Sequence, residues 1–279
     1  MFRLRYVLPL VAVLAIGTFI YVKSCTAERQ TIGTIVPADQ RVAIDEGIDH
    51  GVWDGLLKKY VDQRGFVDYT AWKASAADTD ALKRYLATLS AADLTKDASR
   101  EGRLAFWINA YNALTIHGIL EKYPTNSIKD HVSRFGGYNI WKDLLLTVGD
   151  KKYSLEGIEH EVLRKMGEPR IHFAIVCASI GCPRLLAEAY APLKIEQQLD
   201  VNTRAFFADR AKFDYDAGSG TLHVSPILKW FAEDFGRDQA ERLRTIAPYL
   251  PDQVSRELAA GGSARVKYLD YDWNLNDRK

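Results

Sequence analysis

A histidine and two of the chain's three cysteines fall within a dozen residues, in the run His172-Phe-Ala-Ile-Val-Cys177-Ala-Ser-Ile-Gly-Cys182-Pro183. A thiol acts as a nucleophile only once ionised, and ionisation needs nearby donors or positive charge. Ile171 to Cys177 reads as a strand buried on both faces. Side chains alternate along a strand, so Ile171, Phe173, Ile175 and Cys177 share one face and His172, Ala174 and Val176 the other. His172 and Cys177 then cannot pair without a bulge. Cys182 lies beyond a turn, Ser179-Ile180-Gly181. Pro183 disfavours helical backbone at Cys182 and suits a helix's first position. A helical turn within Pro183 to Tyr190 makes Cys182 its N-cap, where free backbone N–H groups favour a thiolate. The catalytic reading is therefore a Cys182–His172 pair.

Other readings of the same residues stay open. Cys177 and Cys182 are close enough in sequence for a turn to join them as a structural disulfide. They also fit inert buried thiols or a redox-active pair. The C-x4-C spacing is not that of a usual zinc site, and no second cysteine pair exists. Neither a metal nor a cofactor is expected.

Asn109 and Asn112 lie three apart on a helix otherwise rich in core residues. They can satisfy backbone groups of a neighbouring loop. Alternatively, one orients a catalytic imidazole or donates to a substrate oxygen. His160 lies about 160–200° from the Leu155/Ile158/Val162 stripe, so it faces water or a cleft, between Glu156 and Arg164. His50, His117, His131 and His223 receive no role.

The positioning elements are mostly helical. Trp53, Leu56, Leu57, Tyr60 and Val61 recur at helical spacing, as do Leu82, Tyr85, Leu86 and Leu89. The longest helix is expected from Arg100 to Lys122 with one broad apolar face, ended before Pro124. Gly149-Asp150 and Asp216 to Gly220 mark two hairpins. Ser154 caps one further helix. Other helices are expected over Ile195 to Asp209 and after Pro226. Two short helices and a last strand, Val266 to Tyr271, complete the chain. The fold class is α+β: a helix-rich single domain with a small central sheet and short hairpins, after an N-terminal membrane-targeting helix.

Composition bounds the partners. The chain has 279 residues, 47% apolar and 26% charged, with net charge +1. Charge gives no reason to expect a nucleic-acid partner. Arg3 and Arg5 precede an apolar run from Tyr6 to Val22, at the short limit for spanning a bilayer. Residues 1–25 are read as a signal anchor or a cleaved signal peptide. A lipoprotein signal ending at Cys25 is disfavoured by Lys23. Residues 26–43 read as a polar tether and 44–279 as one globular domain. The expected location is the cell envelope, anchored in the inner membrane with the domain in the periplasm, or exported after signal cleavage.

The phrases Leu104-Ala-Phe-Trp-Ile-Asn-Ala-Tyr-Asn-Ala-Leu-Thr115, Leu155-Glu-Gly-Ile-Glu-His160, Pro169-Arg-Ile-His-Phe-Ala-Ile-Val-Cys177 and Cys182-Pro183 resemble the bacterial family catalogued as domain of unknown function 547. Ile227-Leu-Lys-Trp-Phe-Ala-Glu-Asp-Phe235 and Tyr271-Asp-Trp-Asn-Leu-Asn276 resemble it too. The likeness spans about residues 67–276. It implies no established reaction, but it draws attention to Asn109, Asn112, His160, His172, Cys177 and Cys182. Three function classes follow. One is a cysteine-dependent hydrolase or acyl transferase, with Cys182 as nucleophile, His172 or His160 as base and Asn109 or Asn112 as orienting or oxyanion group. The others are a non-catalytic envelope domain stapled by Cys177–Cys182, and a thiol-redox protein.

Overall fold

The helix Arg100–Lys122 organises the chain. Ser99 caps it by accepting the Gly102 N–H at 2.9 Å, which satisfies one of its orphan donors. Every residue from Leu104 to Leu120 is buried. A helix apolar on one face only would leave a solvated stripe, whereas this one is enclosed on all sides. Helices Ala76–Thr88 and Ile195–Ala208 pack against it, and Gly51–Tyr60 packs in turn on Ala76–Thr88.

The structure is a computed structural model that describes residues 29–133 and 137–279. The apolar run Tyr6 to Val22, and with it the anchor and signal readings, lies outside the described residues. Among the described residues no helix is long and apolar enough to cross a membrane.

The described chain is helix-rich with two small mixed sheets, in keeping with α+β. In the first, β2 (Leu144–Val148) pairs parallel with β1 (Gln30–Ile32) and antiparallel with β3 (Lys151–Ser154). In the second, β5 (Thr221–Val224) pairs antiparallel with β4 (Phe213–Asp216) and parallel with β6 (Arg265–Tyr268). Both expected hairpins form. The expected single central sheet does not; the two sheets share no strand.

Three further expectations are corrected. The tether is built into the fold from Gln30 onward: β1 joins a sheet and Val42 bridges Ala92. Ile171 to Cys177 is not a strand. Pro169–Phe173 forms a 3-10 turn capped by Glu168, and the backbone then runs irregularly. An apolar run buried on every side reads alike for a strand and for an enclosed loop, so the pattern could not separate them. Lastly, Pro183 to Tyr190 contains no helix.

Two apolar clusters meet at the 171–176 segment. Ile171, Ala174, Ile175 and Val176 belong to the larger cluster around the central helix. Phe173 belongs to the smaller one, where its ring packs on Phe206 at 4.8 Å and Phe207 at 5.1 Å.

Candidate functional site

The irregular 174–190 segment is held by the two asparagines of the central helix. Asn112 accepts from Val176 N at 2.9 Å and donates to Ala174 O at 3.0 Å. Asn109 accepts from Tyr190 N at 2.9 Å and donates to Tyr190 O at 2.8 Å. Each amide thus supplies the pairing that a neighbouring strand would otherwise give, which buried backbone requires. Both are fully buried, with donor and acceptor committed to main chain. Their side chains frame the loop, and neither lines the cleft beside the cysteines.

The turn between the cysteines is clamped from its other side by the C-terminal segment. Ile180 N donates to Asn274 O and Gly181 N to Asp272 O, each at 2.8 Å. Asn276 N donates to Ala178 O at 3.1 Å. The clamp holds Ala178 at φ 56°, left-handed backbone that a non-glycine residue rarely adopts. Such strain persists only where its surroundings over-determine it, and it clusters at functional sites.

That turn folds the two cysteines together. Cys177 N donates to Cys182 Sγ at 2.9 Å. Cys177 Sγ lies 3.0 Å from Ser179 Oγ and 3.2 Å from the Tyr271 hydroxyl, which itself accepts from Ser179 Oγ. Both cysteines are free thiols. Burial opposes ionisation of Cys182, but hydrogen bonds from the Cys177 thiol, the Tyr271 hydroxyl and the Cys177 N–H outweigh it and bring its pKa down to about 6. The Cys177 thiol is pushed well up, because it donates to Cys182 and is itself desolvated. The arrangement favours ionisation of Cys182 over Cys177. No helix N-terminus contributes, contrary to the sequence expectation; the fixed donor is the N–H of the other cysteine.

The cysteines open onto a cleft of about 290 Å³ lined mainly by apolar side chains. Tyr271, Trp230 and Trp273 form an aromatic wall with ring separations of 4.5–5.8 Å. Glu159, His160 and His172 also face this cleft. The expected Cys182–His172 pair does not form among the described residues. His172 Nε2 bonds Asp234 Oδ2 at 2.6 Å, and the ring stacks on Phe231 at 4.1 Å. Asp234 also takes two bonds from Arg164, at 2.6 and 2.9 Å. Although partly desolvated, Asp234 is held far below the usual carboxylate range by His172 and Arg164. Burial lowers the His172 pKa against the pull of Asp234.

His160 does face the cleft, as its position on the helix suggested. Its Nδ1 accepts from Arg164 Nη1 at 2.9 Å. Desolvation and the Arg164 charge both lower its pKa. Ser154 caps the start of this segment, accepting from Gly157 N at 3.0 Å. Ile158–Leu163 is wound as a π-helix, a form often found at functional sites.

Glu159 was not singled out from sequence. Its side chain sits in the cleft, where the Tyr111 hydroxyl donates to Oε2 at 3.2 Å. Burial is the main cause that lifts its pKa to about 7, and the Cys182 charge adds to it. Asp234 and Tyr271 were missed as well. Each lies in a motif already noted for its family likeness, which was the only available signal. Among the described residues no group of three or more His, Cys, Asp or Glu side chains is arranged to hold a metal ion.

Residues 95–207 match the family described as "Protein of unknown function, DUF547". That span carries the asparagine frame, Glu159, both cleft histidines and both cysteines. Neither a curated protein nor a solved structure matches the chain.

Proposed function

We propose that this chain is a cysteine-dependent acyl transferase or hydrolase, with Cys182 as nucleophile and Glu159 as the acid and base. The observation that carries the reading is that Cys182 and Glu159 line one apolar cleft, where hydrogen bonds, against burial, lower the thiol pKa and burial raises that of the carboxyl group. Environments that push two neighbouring groups in opposite directions assign them opposite proton-transfer roles.

The steps balance without a further reagent. The Cys182 thiolate attacks an acyl carbonyl carbon, and the bond to the leaving group breaks as that group takes the Glu159 proton. A thioester on Cys182 remains. The Glu159 carboxylate then removes a proton from water, or from an acceptor hydroxyl or amine, which attacks the thioester and releases Cys182 as thiolate. His172, Asp234 and Arg164 act as a fixed polar wall that seats Phe231 against the cleft.

Incubation with p-nitrophenyl butyrate, followed by peptide mass analysis, is expected to show a butyryl adduct on Cys182. The rate is expected to rise with pH as Cys182 ionises near pH 6, and to fall as Glu159 loses its proton near pH 7. Glu159→Gln removes the falling limb and lowers the maximum, by a factor of about 10²–10⁴ for loss of general acid–base catalysis. An adduct that survives Cys182→Ser overturns the assignment.

A second reading is favoured by the Cys177 N–H bond to Cys182 Sγ, which holds the two cysteines together. In thiol–disulfide exchange, the Cys182 thiolate would attack an external disulfide and release one thiolate. Deprotonated Cys177 would then attack Cys182 and release the second. Oxidised glutathione would leave an intramolecular Cys177–Cys182 disulfide; persistence of two free thiols under that treatment counts against this reading.

We also infer export, with residues 1–25 holding the domain at the membrane, from Arg3, Arg5 and the apolar run that follows them. Expressed full-length protein is expected to stay in the membrane pellet after an alkaline carbonate wash. A soluble product beginning near Cys25 would remove the anchor.

A further inference from the structure

Cys182 and Pro183 form part of a second cleft, of about 510 Å³, whose remaining lining is different from that of the aromatic cleft. Its ionisable lining comprises Arg64, Arg184 and Lys212 against one carboxylate, Asp209. Lys212 pairs with Asp209 at 3.2 Å. The two guanidinium groups have no carboxylate partner among the described residues. Arg184 bonds Asn202 Oδ1 at 2.8 Å and Gln63 O at 3.0 Å, both neutral acceptors. The Arg64 guanidinium lies over the Phe66 ring, 4.9 Å from its centroid.

The fold brings the two arginines together on purpose-built backbone. Gly65 sits at φ +83°, and a Cβ there would come within 2.5 Å of Arg184 Cβ and 2.6 Å of Leu185 N. Only glycine permits both the left-handed backbone and that close approach. Asn276 fixes the turn by donating to Gly65 O at 3.1 Å while accepting from the Tyr69 hydroxyl at 3.0 Å.

We propose that this second cleft binds an oxyanion, carboxylate or phosphate, carried by the acyl acceptor, so that donor and acceptor reach Cys182 from different clefts. Planar guanidinium groups match such oxyanions with paired hydrogen bonds. The proposal rests on Cys182 being the reactive sulfur. It favours group transfer over hydrolysis, because water would need no charged cleft.

The test compares two alkylating reagents on the full chain at low ionic strength. Iodoacetate carries a carboxylate, and iodoacetamide is its neutral analogue. Peptide mass analysis gives the rate at Cys182 for each, and N-acetylcysteine supplies the reference ratio. The iodoacetate-to-iodoacetamide ratio at Cys182 is expected to exceed the reference by about tenfold, the lower end of electrostatic rate enhancement in a charged cleft. It should fall toward the reference in Arg64→Gln and in about 0.5 M salt, where screening is strong. Arg64 is exposed, so the variant is expected to fold. Acetate and inorganic phosphate, added singly at matched ionic strength, tell which oxyanion is preferred; slowing of iodoacetate by either supports the site. A ratio equal to the reference, or one indifferent to Arg64→Gln, overturns the oxyanion cleft while leaving the reactive thiol intact. Failure of both reagents to label Cys182 overturns the thiol reading and this inference together.

Discussion

Replacing Asn112 by alanine is expected to lower the unfolding free energy by about 2–6 kcal/mol. The side chain is 1% exposed and makes two hydrogen bonds to loop backbone, to Val176 N and Ala174 O. Its removal leaves a buried N–H and a buried C=O unpaired, each costing roughly 1–3 kcal/mol. Asn112→Asp keeps an acceptor for Val176 N but sets a carboxylate against Ala174 O, so it is expected to be at least as damaging. Chemical unfolding followed by tryptophan fluorescence measures both. A loss below about 1 kcal/mol would mean that the loop stands without its frame. The effect should reach the site as well, because Val176 immediately precedes the Cys177 N–H that holds Cys182 Sγ. Partly unfolded or not, the variant should label more slowly at Cys182 than the parent at pH 6.

The sequence made the helical scaffold legible because periodic burial is a local signal. The long helix ran from Arg100 to Lys122 as its spacing and its flanking Pro124 indicated, and the two hairpins followed from their turn residues. Ile171 to Cys177 was misread for the same reason. Its apolar run reports burial, and the burial is real, but the partner of Ala174 O and Val176 N is the Asn112 side chain, more than sixty positions away. No local pattern encodes it. The tether was misread because a short polar edge strand such as Gln30–Ile32 has no apolar alternation.

The candidate site divides in a similar way. Cys182, His172 and His160 were found by residue type, and all three face one cleft. Their pairings could not be read, because His172 meets Asp234 across 62 positions and Cys177 meets Tyr271 across 94. Glu159 is not legible in the sequence, since a carboxylate in a run of charges resembles a solvated face. What sets it apart is burial beside Cys182, a property of the assembled fold.

Of the two sulfurs, Cys182 is expected to ionise and Cys177 to stay protonated. Exposure alone points the other way, since Cys182 is 6% exposed and Cys177 only partly buried. Ionisation decides between them. Despite burial, hydrogen bonds hold the Cys182 thiol below the ordinary value, while the neighbouring Cys182 and burial push Cys177 above it, so the thiolate that alkylation needs forms at Cys182 first. The direct measurement is the rate of iodoacetamide labelling at each cysteine of the reduced, folded protein from pH 4.5 to 9.5, resolved by peptide mass analysis. Cys182 is expected to label first, with a midpoint near pH 6, and Cys177 to lag throughout that range. Labelling of Cys177 first, or a Cys182 midpoint at or above the ordinary thiol value of about 8.5, would contradict that assignment.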